Sequence, residues 1–322
     1  MMKIAAAMAA LVAAAISASV HAQTYPSKAI RLVVPFPPGG GSDIIGRIVA
    51  QKLSEQLKQQ VVVDNRAGAG GSIGTDYAVR AAPDGYTLLL ASASEIAMNP
   101  AVYTRLSYAP TRDLVPIALV ATSPLVIVAH PALPVKNVKD LVALAKERTG
   151  EINVATSGSG TSNHLASEML QSLTGARFTH VPYKGAGLAL ADVVGGQVPL
   201  MFNSLPSVLP LIRSGKLNAL AVTSRARAAA LPHVPTVTES GVRGFEALQW
   251  WGVFATAALP KDLVARLHDE VTKVLRAQDV QANLDKQGVT GAALSQAQFA
   301  EFTLAEIAKW AKVAKTAGVK LD

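Results

Sequence analysis

Two short loops hold the residue types that could grip an anion. The first is Pro37-Pro38-Gly39-Gly40-Gly41-Ser42-Asp43. Glycine lets a backbone approach a ligand closely and reach positive φ. A helix beginning after Asp43 leaves its first N–H groups without intrahelical partners. Those groups and the helix dipole favour negative charge, by about 0.3–1 kcal/mol at a surface and about 2 kcal/mol when partly buried. The second loop, Ser157-Gly158-Ser159-Gly160-Thr161-Ser162-Asn163-His164, has the same logic with more hydroxyls. Thr161, Ser162 and Asn163 stand at a helix start, where they donate to carboxylate oxygens or simply cap the helix. Ser42 and Asp43 face the same two alternatives. Asp43 also repels a ligand carboxylate unless its side chain faces away.

Catalytic constellations are weaker. Gly70-Gly71-Ser72-Ile73-Gly74 matches the G-x-S-x-G elbow, which needs its serine directly at a strand end. Here the preceding strand ends near Asp64, so a glycine-rich turn capped by Ser72 is the plainer reading. His130, His164, His180, His233 and His268 form no H-x-H or H-E-x-x-H pair, which leaves a metal site unsupported. No complete G-x-G-x-x-G and no Walker A lysine motif is present. No cofactor is expected.

The elements that must position these loops alternate along the chain. Residues 30–36, ending at Phe36, read as a strand. In 44–57 Ile45, Val49, Leu53 and Leu57 share one helical face. VVVD (61–64) and YTLLLAS (86–92) are further strands, with a helix starting in GSIGTDYAVRA between them. This βαβαβ order implies a parallel sheet with helical crossovers. A second series repeats the scheme: strands at 124–130, 152–157, 177–183, in VPLMFNS and LNALAVTS, and at 248–255, with a helix at 138–148 opened by Asn137 and others in between. Pro260 starts an amphipathic helix through Leu263, Leu267, Val271 and Val274. Ser295 and Gln298 fit a capping box for the last helix, which runs through Phe299, Phe302, Ile307 and Trp310.

Within this order lies a weak internal repeat. RLVVPF, the first loop, a helix, VVVDN and RAGAG match in kind INVATS, the second loop, a helix, FTHVPY and KGAG. From Gly41 to Val61 is 20 residues; from Gly160 to Thr179 is 19. Two similar α/β lobes suit a clamshell, although generic βαβ units also resemble one another by chance. Trp250 and Trp251 sit on a strand near the crossing between lobes. Adjacent strand residues face opposite ways, so one can enter the core while the other faces the cleft; core packing of both is the alternative.

Composition bounds the class. Lys3, the apolar run of 13 residues at 4–16 and the small residues Val20 and Ala22 read as a secretion signal cut after Ala22. The run is shorter than the roughly 20 residues of a spanning helix. Cleavage leaves 300 residues, enough for two cores. The chain has no cysteine, which removes disulfides, thiolate metal sites and thiol nucleophiles. The formal charge of +8, or about +7 without Lys3, is scattered rather than clustered, so nucleic acid is not an expected partner. A positive field steers small anions, or serves only solubility.

With the loops placed, the sequence resembles the Bug family, the substrate-binding proteins of tripartite tricarboxylate transporters. The resemblance spans essentially the whole chain: YPSKAIRLVVPFPPGGGSD, VVVDNRAGAGGSIGTDYAVRAAPDGYTLLL, NPAVY at 99–103, SGSGTSNHLASEML, VPYKGAG and GGQVPLMFNS among its segments. It implies a two-lobed α/β fold of the periplasmic-binding-protein type II, each lobe a mainly parallel sheet flanked by helices. It also implies no enzymatic activity, a periplasmic location, and a carboxylate gripped by backbone amides, hydroxyls and water.

The expected ligand-binding residues of the first lobe are Phe36, Gly40, Gly41, Ser42 and Asp43, with Ser92 and Ser94 after the third strand. Those of the second are Ser157, Thr161, Ser162 and Asn163, with Asn203. Family members usually carry aspartate at the Asn203 position; asparagine removes a charge and adds donors, which argues against a ligand amino group there. Lobe one is expected over 23–122 and 251–322, and lobe two over 123–250. The implied partners are a small carboxylate and a two-component membrane permease, with the receptor a monomer. An exported hydrolase using Ser72 and a sensor feeding a signalling receptor stand as alternatives.

Overall fold

A computed structural model describes residues 25–292 and 294–322. The expected signal segment, 1–22, lies outside the described residues.

Ten strands form one continuous mixed sheet with two differently built ends. At one end β1 (Ile30–Val34) lies parallel to β2 (Val61–Asn65) and to β3 (Thr87–Ser92). Helix α1 (Gly41–Leu57) links β1 to β2, and α2 (Ser72–Val79) precedes β3. At the other end β5 (Asn153–Thr156) lies parallel to β6 (Thr179–Pro182) and β7 (Leu200–Ser204). Helix α3 (Val138–Glu147) precedes β5, α4 (Ser162–Thr174) links β5 to β6, and α5 (Ala186–Val194) links β6 to β7. The repeat read from sequence is therefore a topological one. Strand, loop, helix and adjacent parallel strand occur once in each end.

Two antiparallel strands join the ends. β4 (Leu114–Ala129) is 16 residues long. Its first part, Leu114–Pro124, pairs with β9 (Leu248–Thr256). Its last part, Leu125–Ala129, pairs with β7, and β8 (Asn218–Val222) pairs on its other side. β9 in turn pairs with β3. The short β10 (Thr290–Gly291) adds to β4 at Ala121 and Thr122. The parallel part of the sheet follows the sequence pattern, and the antiparallel part is confined to the crossing strands and their neighbours.

The helical faces bury as their spacing dictates. Ile45, Val49 and Leu53 pack in one core with Leu267, Val271 and Val274 of α7 (Lys261–Arg276). Helix α6 (Leu205–Arg213) packs Val208 and Leu209 with Met201 and Val222 at the other end. After α8 (Gln278–Lys286), α9 (Gln296–Ala317) closes the fold. Its Phe299 and Trp310 join a core that also holds Trp250, Leu165 and Phe202, so the last helix ties both ends together. Ser295 and Gln298 form the expected reciprocal capping box, and Asn137 caps α3 through the Asp140 amide at 3.0 Å. Among the described residues no helix is long and apolar enough to cross a membrane.

Candidate functional site

A cavity of about 30 Å³ lies between the two ends of the sheet, beside the crossing strands. Its walls come from both copies of the repeated unit. Phe36, Gly40, Gly41, Ser42 and Ser94 face Ser157, Ser162, Asn163 and Asn203 across it.

Four helix N-termini meet there. Gly40 and Thr161 are the N-caps of α1 and α4, and neither helix start has a side-chain cap. Ala186 opens α5, and Ser204 is the N-cap of α6; these starts also lack side-chain caps. Each helix thus presents the positive end of its dipole and first-turn N–H groups, although the Ser162 amide of α4 is taken by Ser94 and Pro206 of α6 has no N–H. No acidic or basic side chain lines the cavity. The arrangement favours a small anion held by neutral donors.

The loops owe their shape to buried side chains behind them. Asp43 turns away from the cavity. It accepts from the Gly39 amide (3.1 Å), from Arg47 (3.0 Å) and from Asn65 (3.1 Å). Burial alone would raise its carboxyl, but these three donors outweigh it and hold the group below the ordinary carboxylate range. Asn65 also donates to the Phe36 carbonyl at 2.9 Å, which ties the loop to β2. In the second loop Ser157 donates to Asn163 Oδ1 at 2.6 Å, and Asn163 donates onward to the Phe202 carbonyl. Thr161 donates to the Gly158 carbonyl at 2.7 Å. His164 accepts the Gly160 amide at 3.2 Å and stacks on His180 at 3.9 Å. Burial, and then the neighbouring His164, push His180 down to about 4. It is neutral at neutral pH, so it adds no charge beside the loop.

Nine of the twelve expected residues line the cavity. The other three serve it from outside: Asp43 and Thr161 brace the loops, and Ser92 donates to the buried Glu95 at 2.7 Å. Ser94, two residues on, accepts the Ser162 amide across the cleft at 3.1 Å.

A family model described as the tripartite tricarboxylate transporter family receptor matches residues 45–319. The chain belongs to this receptor family. The protein BugT of Bordetella pertussis is 40% identical over 309 residues, covering 96% of this chain and 95% of BugT. A solved R. palustris structure with adipate superposes with a TM-score of 0.89 at 36% identity, over 92% of this chain and 99% of that one. The periplasmic binding protein BugD gives 0.88 at 35% identity, over 92% and 99%. MatC from Rhodopseudomonas palustris with bound malate gives 0.86 at 30% identity, over 90% and 99%.

Six wall residues of this receptor lie outside the expected set: Pro37, Leu125, Ala186, Ser204, Gln249 and Trp251, of which only Trp251 was weighed from sequence, as one of two tryptophans that face the core or the cleft. Strand alternation was the available signal for Gln249 and Trp251. Trp251 faces the cavity and donates to Ser42 at 3.0 Å, while Trp250 faces the opposite core and donates to Glu306 at 3.0 Å. Ser72 starts α2 seven residues beyond the end of β2 and accepts from Asn99 at 3.2 Å. Among the described residues its hydroxyl has no histidine partner, unlike an elbow nucleophile. The receptor's cleft also opens into a groove of about 550 Å³. Phe36, Pro37 and Ser157 are shared walls, and the glycine turns Ala67–Gly71 and Lys184–Gly185 face each other over it.

Proposed function

We propose that this receptor captures a small carboxylate in the cavity, closes its lobes around it, and delivers it to a two-component membrane permease. The observation that carries the reading is the convergence of four helix N-termini, without side-chain caps, on a buried cavity lined by no acidic residue. Such a site stabilises an anion through fixed dipoles and is unfavourable for a cation. The family's transport role and the adipate and malate in related structures support the same class of ligand.

The lobes are residues 23–122 with 251–322, and 123–250. The hinge lies where β4 passes from β9 to β7, at Pro124–Leu125, and where β9 begins at Leu248. The cavity is large enough for little more than a water molecule or two. Rotation at these two strands widens it to admit a ligand and then closes over it. The protein is exported to the periplasm after cleavage beyond Ala22, works as a monomer and catalyses no reaction.

A thermal-shift panel tests this reading. A carboxylate at 100 times its dissociation constant should add about 2.7 kcal/mol of stability. If uncharged solutes raise the melting temperature and no carboxylate does, the reading fails.

A further inference from the structure

Three lining side chains carry amides, and two are engaged. Asn163 donates to the Phe202 carbonyl and accepts from Ser157. Asn203 accepts the Ser204 amide at 2.8 Å and lies 3.4 Å from the Asn163 amide nitrogen. Asn203 is thereby committed to the architecture of the second lobe.

Gln249 differs. It is 6% exposed and lines the cavity, and its side chain makes no hydrogen bond with any described residue; its Oε1 is fully buried and unpartnered. Its orientation follows from the strand. Gln249 and Trp251 are two apart on β9 and share a face, and Trp251 packs beside Gly41 and bonds Ser42. Gln249 pairs in register with Ser123 on β4, so it sits on the hinge itself.

We infer that Gln249 is a specificity-determining residue that reads a hydroxyl on the bound carboxylate, making hydroxy acids the preferred ligands. The inference rests on the carboxylate reading above. The helix N-termini take the ligand's carboxylate and leave Gln249 facing another part of the molecule. An ammonium group is disfavoured, because four positive helix ends surround the cavity and no acid lines it. A hydroxyl remains. It donates to Oε1, and it would equally accept from the amide nitrogen if the amide were turned over, so the match survives either orientation. A ligand without the hydroxyl leaves a buried polar group unpaired, and that asymmetry discriminates between ligands more strongly than one added contact does.

Calorimetric titration with matched acids tests the inference: lactate with propionate, malate with succinate, and 2-hydroxyglutarate with glutarate. The hydroxylated member of any pair that binds should be about tenfold tighter. In Gln249→Met, of similar length and without the amide, the ratio should fall to near one. The ratio within a pair is the readout, and a cooperative thermal unfolding transition reports that the variant is folded. Gln249→Leu provides a second variant with the same expectation. Equal affinities within a binding pair, or a preference that survives both substitutions, would overturn the role of Gln249 while leaving the carboxylate site standing. Failure of every acid to bind the unaltered protein would overturn the carboxylate reading and this inference together.

Discussion

Asp43 shows how one side chain can oppose a ligand by type and still serve its site by placement. Its charge is spent on Arg47, Asn65 and the Gly39 amide, and so it fixes the loop whose amides face the cavity. Glu95 is the second carboxyl of this kind. It is fully buried, accepts from Ser92 through one oxygen, and leaves the other without a partner. Burial pushes it up to about 7, only partly offset by the Ser92 hydrogen bonds. A raised carboxyl means that the folded state keeps a proton the unfolded chain has lost. Its stabilising contribution is present below the unfolded value near 4.5 and is lost as pH rises through about 7. Glu95→Gln does not titrate. Its melting temperature relative to the unaltered protein should therefore climb from about pH 5 to about pH 7 and level off above. A difference that stays flat across that range would show that Glu95 holds no excess proton. The sequence displayed both acids, but not the direction either one faces, because that depends on Arg47, Asn65 and Ser92 meeting them in space.

At the scale of elements, α9 owes its position to a buried acid. Glu306 accepts from the indoles of Trp250 (3.0 Å) and Trp310 (3.1 Å) and from Lys309 (3.1 Å). Glu306→Ala leaves two indole donors facing a core, and should destabilise the protein by about 2–4 kcal/mol in chemical denaturation. The capping box and apolar spacing of α9 were legible because both signals are local. Helix α6 was not, since Pro206 and Pro210 argue against a helix. Pro206 is tolerated in its first turn, where no intrahelical N–H bond is lost. The full length of β4 was hidden in the same way. Pro116 sits at a register shift and Pro124 where the strand changes partners, the irregular places where a sheet accepts proline.

At the scale of the molecule, the proposed closure brings a glycine to the seam between the lobes. Tyr103 donates to the Ser159 carbonyl at 3.2 Å across the cleft. A Cβ on Gly70 would lie 2.8 Å from that same carbonyl. The φ of 60° at Gly70 is one that alanine tolerates at modest cost, so Gly70→Ala should fold and yet resist closing. A closure penalty of about 1–2 kcal/mol weakens apparent ligand affinity about 5- to 30-fold. Calorimetry should show that loss, and small-angle scattering should show a more expanded particle with ligand present. Unchanged affinity would mean that binding does not need the lobes fully apposed.

What the sequence determined by itself was everything carried by neighbours in the chain: the alternation of strands and helices, the two glycine loops, the duplicated unit around them, and the family. All but the family resemblance, which spans the chain, act over a few residues or one turn, and together they name nine of the cavity's fifteen wall residues. Tertiary structure alone added the N-termini of α5 and α6 to the site and decided that the face of β9 carrying Gln249 and Trp251 is the one turned toward it. These choices depend on which strands pair and on contacts such as Trp251 with Ser42, 209 positions apart. No local pattern encodes such a contact, because it exists only once both crossing strands have folded the two lobes against each other.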